Sequence, residues 1–247
     1  MRSKNWNEYV ASAEEVARGE SFCRLRDEII ARAGVKAGDR VVDLGAGTGL
    51  LTLAAAPRAG HVWAIDVSQG MCDYLATKAR SAGLANVETA VASVTSLPLV
   101  DNSVDVAISN YCFHHLSDPE KHVALSEAHR VLAPGGRFVF ADMMFSLSLG
   151  DRRNRSVIGS KARALLGKGL PGAWRLLRNI GRWLLGRWEK PATPDWWEAA
   201  LREAGFEEVS VEPLRHEGGS ACAQRRQSSG PDKPGDASTP ALATAGR

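Results

Sequence analysis

The chain has 247 residues, of which 44% are hydrophobic and 24% are charged, a balance typical of globular proteins. This composition excludes a disordered, collagen-like or fibrous protein, and the absence of any run of 18 apolar residues excludes a membrane-spanning helix. No Cys-x-x-Cys pair occurs among the four cysteines, which disfavours a zinc site and indicates free thiols. No apolar stretch follows Met1, so we expect no secretory signal and a cytoplasmic protein.

The charge is unevenly distributed although its net value is only +3. Residues 152–190 contain eleven lysines and arginines against the single acid Glu189, so this segment carries +10 and the rest of the chain −7. Five of the seven tryptophans lie in or beside it. A concentrated cationic segment on an otherwise acidic chain indicates an anionic partner or surface.

Apolar runs and helix-breaking residues predict alternating strands and helices. Helices are expected to end near Gly34, Pro57 and Gly83, and Ser117 or Asp118 is expected to cap another that ends before Pro134-Gly135-Gly136. In chain order the predicted helices are 8–33, 50–56, 69–82, 118–132 and 194–204. The predicted strands are 40–44, 61–66, 87–91, 104–109, 137–142, 207–212 and 220–226.

This alternation predicts an α/β, Rossmann-like doubly wound sheet that is mostly parallel, with an antiparallel last strand. Residues 1–226 form one predicted domain, interrupted after the fifth strand by a basic, Trp-rich helical insertion at 146–193. Residues 227–247 are rich in Pro, Gly and Ser without aromatics, so we expect a disordered tail.

A glycine-rich turn follows the first predicted strand and opens a helix. Gly45, Gly47 and Gly49 have the spacing Gly-x-Gly-x-Gly, which allows a tight turn and close approach of the backbone to a ligand. Asp66 ends the second strand, 21 residues after Gly45, where a carboxylate accepts from ribose hydroxyls. Each feature alone is common in proteins without a ligand, but their order favours a nucleoside cofactor.

These residues resemble the class I S-adenosylmethionine-dependent methyltransferases, in particular the ubiquinone/menaquinone-biosynthesis type. Four segments carry the resemblance: the glycine motif Val41–Leu50, the acidic second-strand motif Ala64–Met71, the Leu-Pro-x-x-Asp stretch Ser96–Asp105 and the Pro-Gly-Gly turn Arg130–Arg137. The resemblance covers roughly residues 36–145 and extends more weakly to about 226.

The resemblance implies S-adenosylmethionine as cofactor and assigns its contacts. Asp43 and the glycine turn (Gly45, Ala46, Gly47 and Gly49) would surround the methionine part, Asp66 the ribose, and Val67 and Met71 the adenine. Ser93 and Val94 stand where the family usually has an Asp-Ala pair beside the adenine amino group, and Asn110 is a further cofactor contact.

Methyl transfer from a sulfonium requires alignment, and a base only where the acceptor arrives protonated. His114 and His115 follow the fourth strand, so either is a candidate base, with His115 preferred, while loop packing is the alternative role. Tyr9 is a candidate lid residue or a core residue. We expect no metal ion, because no suitable Asp/Asn set occurs.

The basic insertion has three open interpretations. Over 173–188 a helix would place tryptophans and leucines on one broad face, with Arg175 and Arg178 on its opposite edge and Trp174 among the apolar residues. Such a helix suits peripheral contact with an anionic membrane, a cover over the active site, or contact with nucleic-acid phosphates, of which the last is least favoured.

The leading hypothesis is therefore a methyltransferase that acts by direct displacement on a small, hydrophobic acceptor such as a quinone precursor, lipid or natural product. An RNA methyltransferase is an alternative. So is a non-catalytic cofactor-binding protein that acts through its basic segment. The sequence leaves the oligomeric state and the methylated atom open.

Overall fold

A computed structural model describes residues 5–145, 159, 190–214 and 218–227. Its centre is a seven-stranded sheet in the order β3-β2-β1-β4-β5-β7-β6. Strands β1 to β5 pair in parallel, whereas β7 is antiparallel to both β5 and β6. The predicted α/β, Rossmann-like fold with an antiparallel last strand is confirmed.

The strands are β1 (Arg40–Leu44), β2 (His61–Asp66), β3 (Val87–Val91), β4 (Val104–Asn110), β5 (Leu132–Met143), β6 (Phe206–Pro213) and β7 (Gly218–Arg225). The helices in the described ranges are α1 (Val10–Ala17), α2 (Glu20–Ala33), α3 (Thr52–Ala55), α4 (Gln69–Ser81), α5 (Asp118–Val131) and α6 (Pro194–Glu203). Two short 3₁₀ helices cover Trp6–Tyr9 and Phe113–His115.

The helices cover both faces of the sheet and bury its apolar side chains. On one face, the buried sides of α5 and α6 pack against β4 and β5, around Phe138, Phe140 and the fully buried Trp197. The other packs α2 and α3 against the same strands, around Ile29, Val106 and Val139. Burial on both faces explains why the central strands are continuous apolar runs.

The predicted single helix over 8–33 is wrong, because two helices occupy that segment. Gly19 separates them with an extended backbone (φ −63°, ψ 139°) and is the N-terminal cap of α2. A Cβ there would lie 3.1 Å from the Val16 carbonyl oxygen, so the sharp turn suits glycine. The predicted end of α2 is correct, since Gly34 closes it in the left-handed conformation (φ 56°).

The prediction that Pro134-Gly135-Gly136 separates α5 from β5 is also wrong. The strand begins at Leu132, directly after the helix, and the Pro-Gly-Gly sequence lies inside it. Proline disfavours helical backbone in the residue before it, which drives Ala133 into the strand. The pairing with β4 shifts here, because Val104 faces Leu132 whereas Val106 faces Arg137.

The carboxyl ends of the parallel strands lie level at one edge of the sheet. Leu44 of β1 is in register with Ile65 of β2 and with Ser109 of β4. Ligands of open parallel sheets bind beyond this edge, where the strand order reverses about β1 and β4. None of the described helices is long and apolar enough to cross a membrane.

Candidate active site

The glycine turn lies at the carboxyl edge and keeps its backbone accessible. The N–H groups of Gly45 and Ala46 both donate to the Ile65 carbonyl at 2.9 Å, which fixes the turn against β2. A Cβ at Gly45 would overlap the Cys112 side chain, so Gly45 is required by packing. Gly47 has φ +53° and nothing within 4 Å of its Cβ position, which leaves open space beside its backbone.

Asp66 lies beside this turn at the end of β2. Its two oxygens accept from Gly47 N–H and from Ser68 N–H, each at 2.9 Å. Burial raises the pKa of this carboxyl above its ordinary value. The side chain therefore connects the glycine turn to the start of α4, and its contact with a ribose stays a prediction.

Asp43, two residues before Gly45, is almost fully buried. The Thr52 hydroxyl donates to its Oδ2 at 2.6 Å. Burial, reinforced by the nearby Asp66 charge, raises the pKa of Asp43 to about 7. A cationic ligand bound beside these two carboxyl groups would favour their ionised forms and so lower both pKa values.

The residues expected near the adenine divide into exposed and buried ones. Val67 is 53% exposed, and Val91, which pairs with Asp66 across the strands, is 49% exposed. Met71 and Val94 are buried. The Ser93 hydroxyl lies 2.7 Å from that of Thr95. Val91 was not among the predicted residues, although its position at the end of β3 places it at the same edge of the sheet as Asp66.

Two observations test whether a nucleoside cofactor fits this edge. The Oδ1 atom of Asn110 is enclosed, and no described residue donates to it. The open space beside Gly47 is the second observation. Both leave polar backbone and side-chain groups for a ligand to satisfy, so the residues present fit S-adenosylmethionine. Among the described residues, no group of His, Cys, Asp and Glu is arranged to hold a metal ion.

A buried histidine–aspartate pair follows β4 on the same edge. Nδ1 of His114 lies 2.7 Å from Oδ1 of Asp142, near the end of β5. Asp142 is fully buried, and its oxygens also accept from the backbone N–H groups of Phe113 and Met143, both at 2.6 Å. An ionised carboxylate can only accept a hydrogen bond, so the tautomer of His114 that pairs with it has the proton on Nδ1 and a lone pair on Nε2.

Asp142 was not predicted from sequence, because only the fold brings β5 beside the loop after β4. The sequence preferred His115 over its neighbour as a base. His115 is exposed, and its ring centroid lies 4.6 Å from that of Trp6. His114 is paired with the buried carboxylate of Asp142, and this geometry favours His114 for the role of base.

The N-terminal 3₁₀ helix connects the two halves of this edge. Oδ1 of Asn7 accepts from the Ser68 hydroxyl at 2.6 Å and from Gly70 N–H at 2.9 Å. Trp6 contacts His115 on the other side, and Tyr9 is 40% exposed. The role of Tyr9 as a lid residue or a core residue stays a prediction.

The far end of the basic segment is attached to the histidine loop. Lys190 N–H donates to the His114 carbonyl at 2.7 Å, and the Lys190 carbonyl accepts from Nζ of Lys121 at 2.6 Å. Lys121 is fully buried and also donates to Asp118 at 2.7 Å. Trp174, Arg175 and Arg178 lie outside the described residues, as does the predicted tail beyond 227.

Comparisons with known proteins agree with this architecture. Residues 41–136 match the family model described as a methyltransferase domain. A demethylmenaquinone methyltransferase of Clavibacter sepedonicus is 40% identical over 106 residues, covering 43% of this chain and 42% of that protein. An arsenite methyltransferase of Halobacterium salinarum is 30% identical over 187 residues, covering 73% of this chain and 40% of that protein.

The chain thus spans less than half the length of these two relatives. The crystal structure of a SAM-dependent methyltransferase from Aquifex aeolicus superposes with a TM-score of 0.61 at 23% identity, covering 87% of this chain and 97% of that one. That likeness extends the shared fold across most of the chain. The matched segment contains the glycine turn and Asp66, and the sheet has the order expected around them. The chain therefore carries a methyltransferase domain of the class I, S-adenosylmethionine-dependent type.

Proposed function

We propose that this protein is an S-adenosylmethionine-dependent methyltransferase that acts on a small, hydrophobic acceptor. One observation carries the proposal: the accessible glycine turn with Asp66 and the buried His114–Asp142 pair lie on the same edge of one sheet. A cofactor cradle and a candidate base are thereby held on rigid strands, next to each other. That arrangement is what alignment of two reactants requires.

The roles of the residues follow from their positions. When bound, the cofactor supplies a methyl group whose bond to sulfur breaks, leaving the electron pair on sulfur, as the acceptor atom bonds the carbon. The turn around Gly47, Asp66 and Asn110 would hold the cofactor. His114 would accept a proton from the acceptor at Nε2, and Asp142 would orient the ring and stabilise its protonated form.

The hydrophobic character of the acceptor is supported by buried apolar residues at the end of β5. Met143 and Phe145 form a small apolar cluster with Tyr111, directly after the His114–Asp142 pair. One relative is named for demethylmenaquinone and the other for arsenite, so the relatives do not share an acceptor. The apolar cluster favours an organic acceptor over an inorganic anion.

The experiment that tests this function uses cofactor with a radiolabelled methyl group. The protein is incubated with it and a cell extract, and the organic and aqueous phases are separated. We expect label in the organic phase, absent when Asp66→Ala replaces the wild-type chain. Label in neither phase, with intact cofactor binding, would indicate a non-catalytic cofactor-binding protein, and label in RNA would replace the small-molecule proposal.

The basic segment supports a second, separable proposal, that the enzyme collects its acceptor at an anionic membrane. The support is its charge of +10 beside several tryptophans, a combination suited to lipid interfaces. Sedimentation with phosphatidylglycerol vesicles but not phosphatidylcholine vesicles is expected, and Arg175→Glu with Arg178→Glu should reduce it. Equal sedimentation with both lipids would contradict the membrane proposal. A cover over the active site would then be the favoured role of the basic segment.

A further inference from the structure

Lys78, in the last turn of α4, reaches back to the glycine turn. Its Nζ atom donates to the Thr48 carbonyl at 3.1 Å, although 30 positions separate the two residues in the chain. Thr48 lies between Gly47 and Gly49 and is almost fully buried. The ammonium of Lys78 therefore holds the backbone of the one residue between the last two glycines of the turn.

The peptide group that accepts from Lys78 also closes the turn. The Thr48 carbonyl and the Gly49 N–H belong to one peptide group, and this N–H donates to the Ala46 carbonyl at 2.9 Å. An ammonium on the carbonyl polarises the peptide group and strengthens the bond that its N–H makes. Three glycines give the turn wide conformational freedom, and ordering such a segment around a ligand is costly unless other contacts already fix its shape. Lys78 supplies such a contact.

Leu75, one helical turn before Lys78, packs against the same glycine turn. A Cβ at Gly49 would overlap the Leu75 side chain, so α4 approaches the turn as closely as glycine allows. Leu75 and Lys78 are three positions apart and therefore share one face of α4. Apolar contact at Leu75 brings the helix to the turn, and the ammonium of Lys78 then fixes the backbone of the turn.

Glu14 of α1 fixes the direction of the Lys78 side chain. Nζ of Lys78 donates to the two carboxylate oxygens of Glu14 at 2.9 and 3.2 Å, and Nε of Arg18 donates to one of them at 3.0 Å. Burial alone would raise the pKa of Glu14, but hydrogen bonds from the Lys78, Arg18 and Thr48 side chains hold it below its ordinary value. The Glu14 side chain is only 12% exposed, which limits the screening of this ion pair by salt.

This geometry does not favour two other roles of Lys78. Surface ion pairs that serve stability alone contribute little, and they need no contact with a functional turn. Direct contact with the cofactor would need a free donor, because an ammonium has three N–H groups. Three oxygen atoms of the protein, two of Glu14 and one of Thr48, already surround the Lys78 ammonium.

We propose that Lys78 and Glu14 are positioning residues that hold the glycine turn in the shape that receives S-adenosylmethionine. Lys78 acts on the turn through the Thr48 carbonyl, and Glu14 acts through Lys78 and the Thr48 side chain. This inference rests on the proposed function, because it takes the glycine turn as the cofactor site. It predicts that both residues change cofactor affinity without contacting the cofactor.

The experiment measures S-adenosylhomocysteine affinity by calorimetry, in the wild-type chain first and then in Lys78→Met. Methionine keeps a side chain of similar length but donates no hydrogen bond. We expect this variant to bind at least about fivefold more weakly, because a charge-assisted hydrogen bond to the turn is lost. Arg80→Met is the matched control, since Arg80 is an exposed cation in the same last turn of α4, and this variant should bind as tightly as the wild-type chain.

The amide resonance of Gly49 distinguishes positioning from a purely structural role and from direct contact. In the cofactor-free protein, Lys78→Met should shift this resonance and speed its hydrogen exchange, whereas Arg80→Met should do neither. A loss of affinity in Lys78→Met with an unchanged Gly49 resonance would overturn the positioning role.

A second variant tests the part played by Glu14. Alanine suits a helix, so Glu14→Ala leaves α1 able to form. We expect it to weaken S-adenosylhomocysteine binding at least about threefold, and to add less than about twofold to the effect of Lys78→Met, because both residues act on Thr48. Wild-type affinity in both single variants, folded by thermal melts, would overturn the proposal. Failure of the wild-type chain to bind S-adenosylhomocysteine would overturn the proposed function instead.

Discussion

Nδ1 of His114 and Oδ1 of Asp142 lie 2.7 Å apart, although 28 positions separate the two residues in the chain. The loop after β4 supplies the histidine, and β5, which pairs with β4 in parallel, supplies the carboxylate. The pair is buried, so its geometry is fixed by the sheet and not by solvent. In this arrangement Asp142 determines which ring nitrogen of His114 is available to an acceptor.

Replacing Asp142 should therefore slow methyl transfer without affecting the cofactor. We expect Asp142→Asn and His114→Gln each to lower the rate roughly 10²-fold or more, because His114→Gln removes the proton acceptor and Asp142→Asn removes the carboxylate that orients it. The double variant should be no slower than either single one, since the two residues act as a unit. Calorimetry with S-adenosylhomocysteine is the control. A wild-type rate in Asp142→Asn would show that the pair is structural only.

The open backbone at Gly47 predicts a selective loss of cofactor binding. Gly47→Ala should cost about 1 kcal/mol of folding free energy, because L-residues disfavour left-handed backbone. Gly34 has φ +56°, close to the +53° of Gly47, and likewise has nothing within 4 Å of its Cβ position. Gly34→Ala is therefore a matched control with the same folding cost. Only Gly47→Ala should weaken cofactor affinity, by at least about tenfold; equal affinities in the two variants would place the cofactor elsewhere.

The raised pKa of Asp43 predicts a pH dependence of stability. The folded carboxyl keeps its proton up to about pH 7, whereas in the unfolded chain it loses the proton near its ordinary value of 3.8. The folded state therefore binds the extra proton between these values, and the free energy of unfolding should fall as the pH rises through that window. The loss is up to about 4 kcal/mol, at about 1.4 kcal/mol per pH unit.

Urea unfolding of the cofactor-free protein at pH 5 and pH 7 measures this loss. Asp43→Asn removes the titrating group and should reduce the difference between the two pH values. Asp66, whose pKa burial also raises, should leave a smaller residual slope in the same direction. A stability that rises from pH 5 to pH 7 in the wild-type chain would contradict the burial argument.

The buried Lys121 predicts a structural link between α5 and the histidine loop. Its ammonium donates to Asp118 and to the Lys190 carbonyl and lies 5.3 Å from the centre of the Trp196 ring. Lys121→Met should lower the free energy of unfolding by about 1–3 kcal/mol, because the carbonyl loses its donor. Lys36→Met, at an exposed site, is the control and should have little effect. Equal free energies of unfolding of the two variants would contradict this structural role of Lys121.

Much of the fold could be predicted from local patterns. The bounds of β1, β2 and β3 were predicted to the residue, and for β1 and β2 the mainly apolar sequence beside glycine or polar residues marks a buried parallel strand. A cap at Ser117 or Asp118 was predicted from its chemistry, and the structure shows Ser117 at the cap, with its N–H donating to the Glu120 carboxylate at 2.6 Å. The break at Gly19 was not predicted, because a single glycine is tolerated inside many helices.

The residues of the candidate site, like the elements of the fold, were predicted only where the signal is local in the sequence. Asp66 and the glycine turn form a local sequence signal and were predicted together, whereas Asp142 enters the site only through long-range packing. Nothing in the sequence around Asp142 distinguishes it from other strand carboxylates until β5 is placed beside β4. The His114–Asp142 pair could not be predicted for the same reason, since only the fold brings that histidine beside a carboxylate.

Binding of S-adenosylhomocysteine by the wild-type chain and by Asp66→Ala tests the central claim most directly. Isothermal titration calorimetry should show one site per wild-type chain and an affinity at least about tenfold weaker in the variant, because the carboxylate beside the glycine turn is removed. A matched thermal melt checks that the variant is folded. Absence of binding to the wild-type chain, or equal affinity in a folded Asp66→Ala variant, would contradict the account.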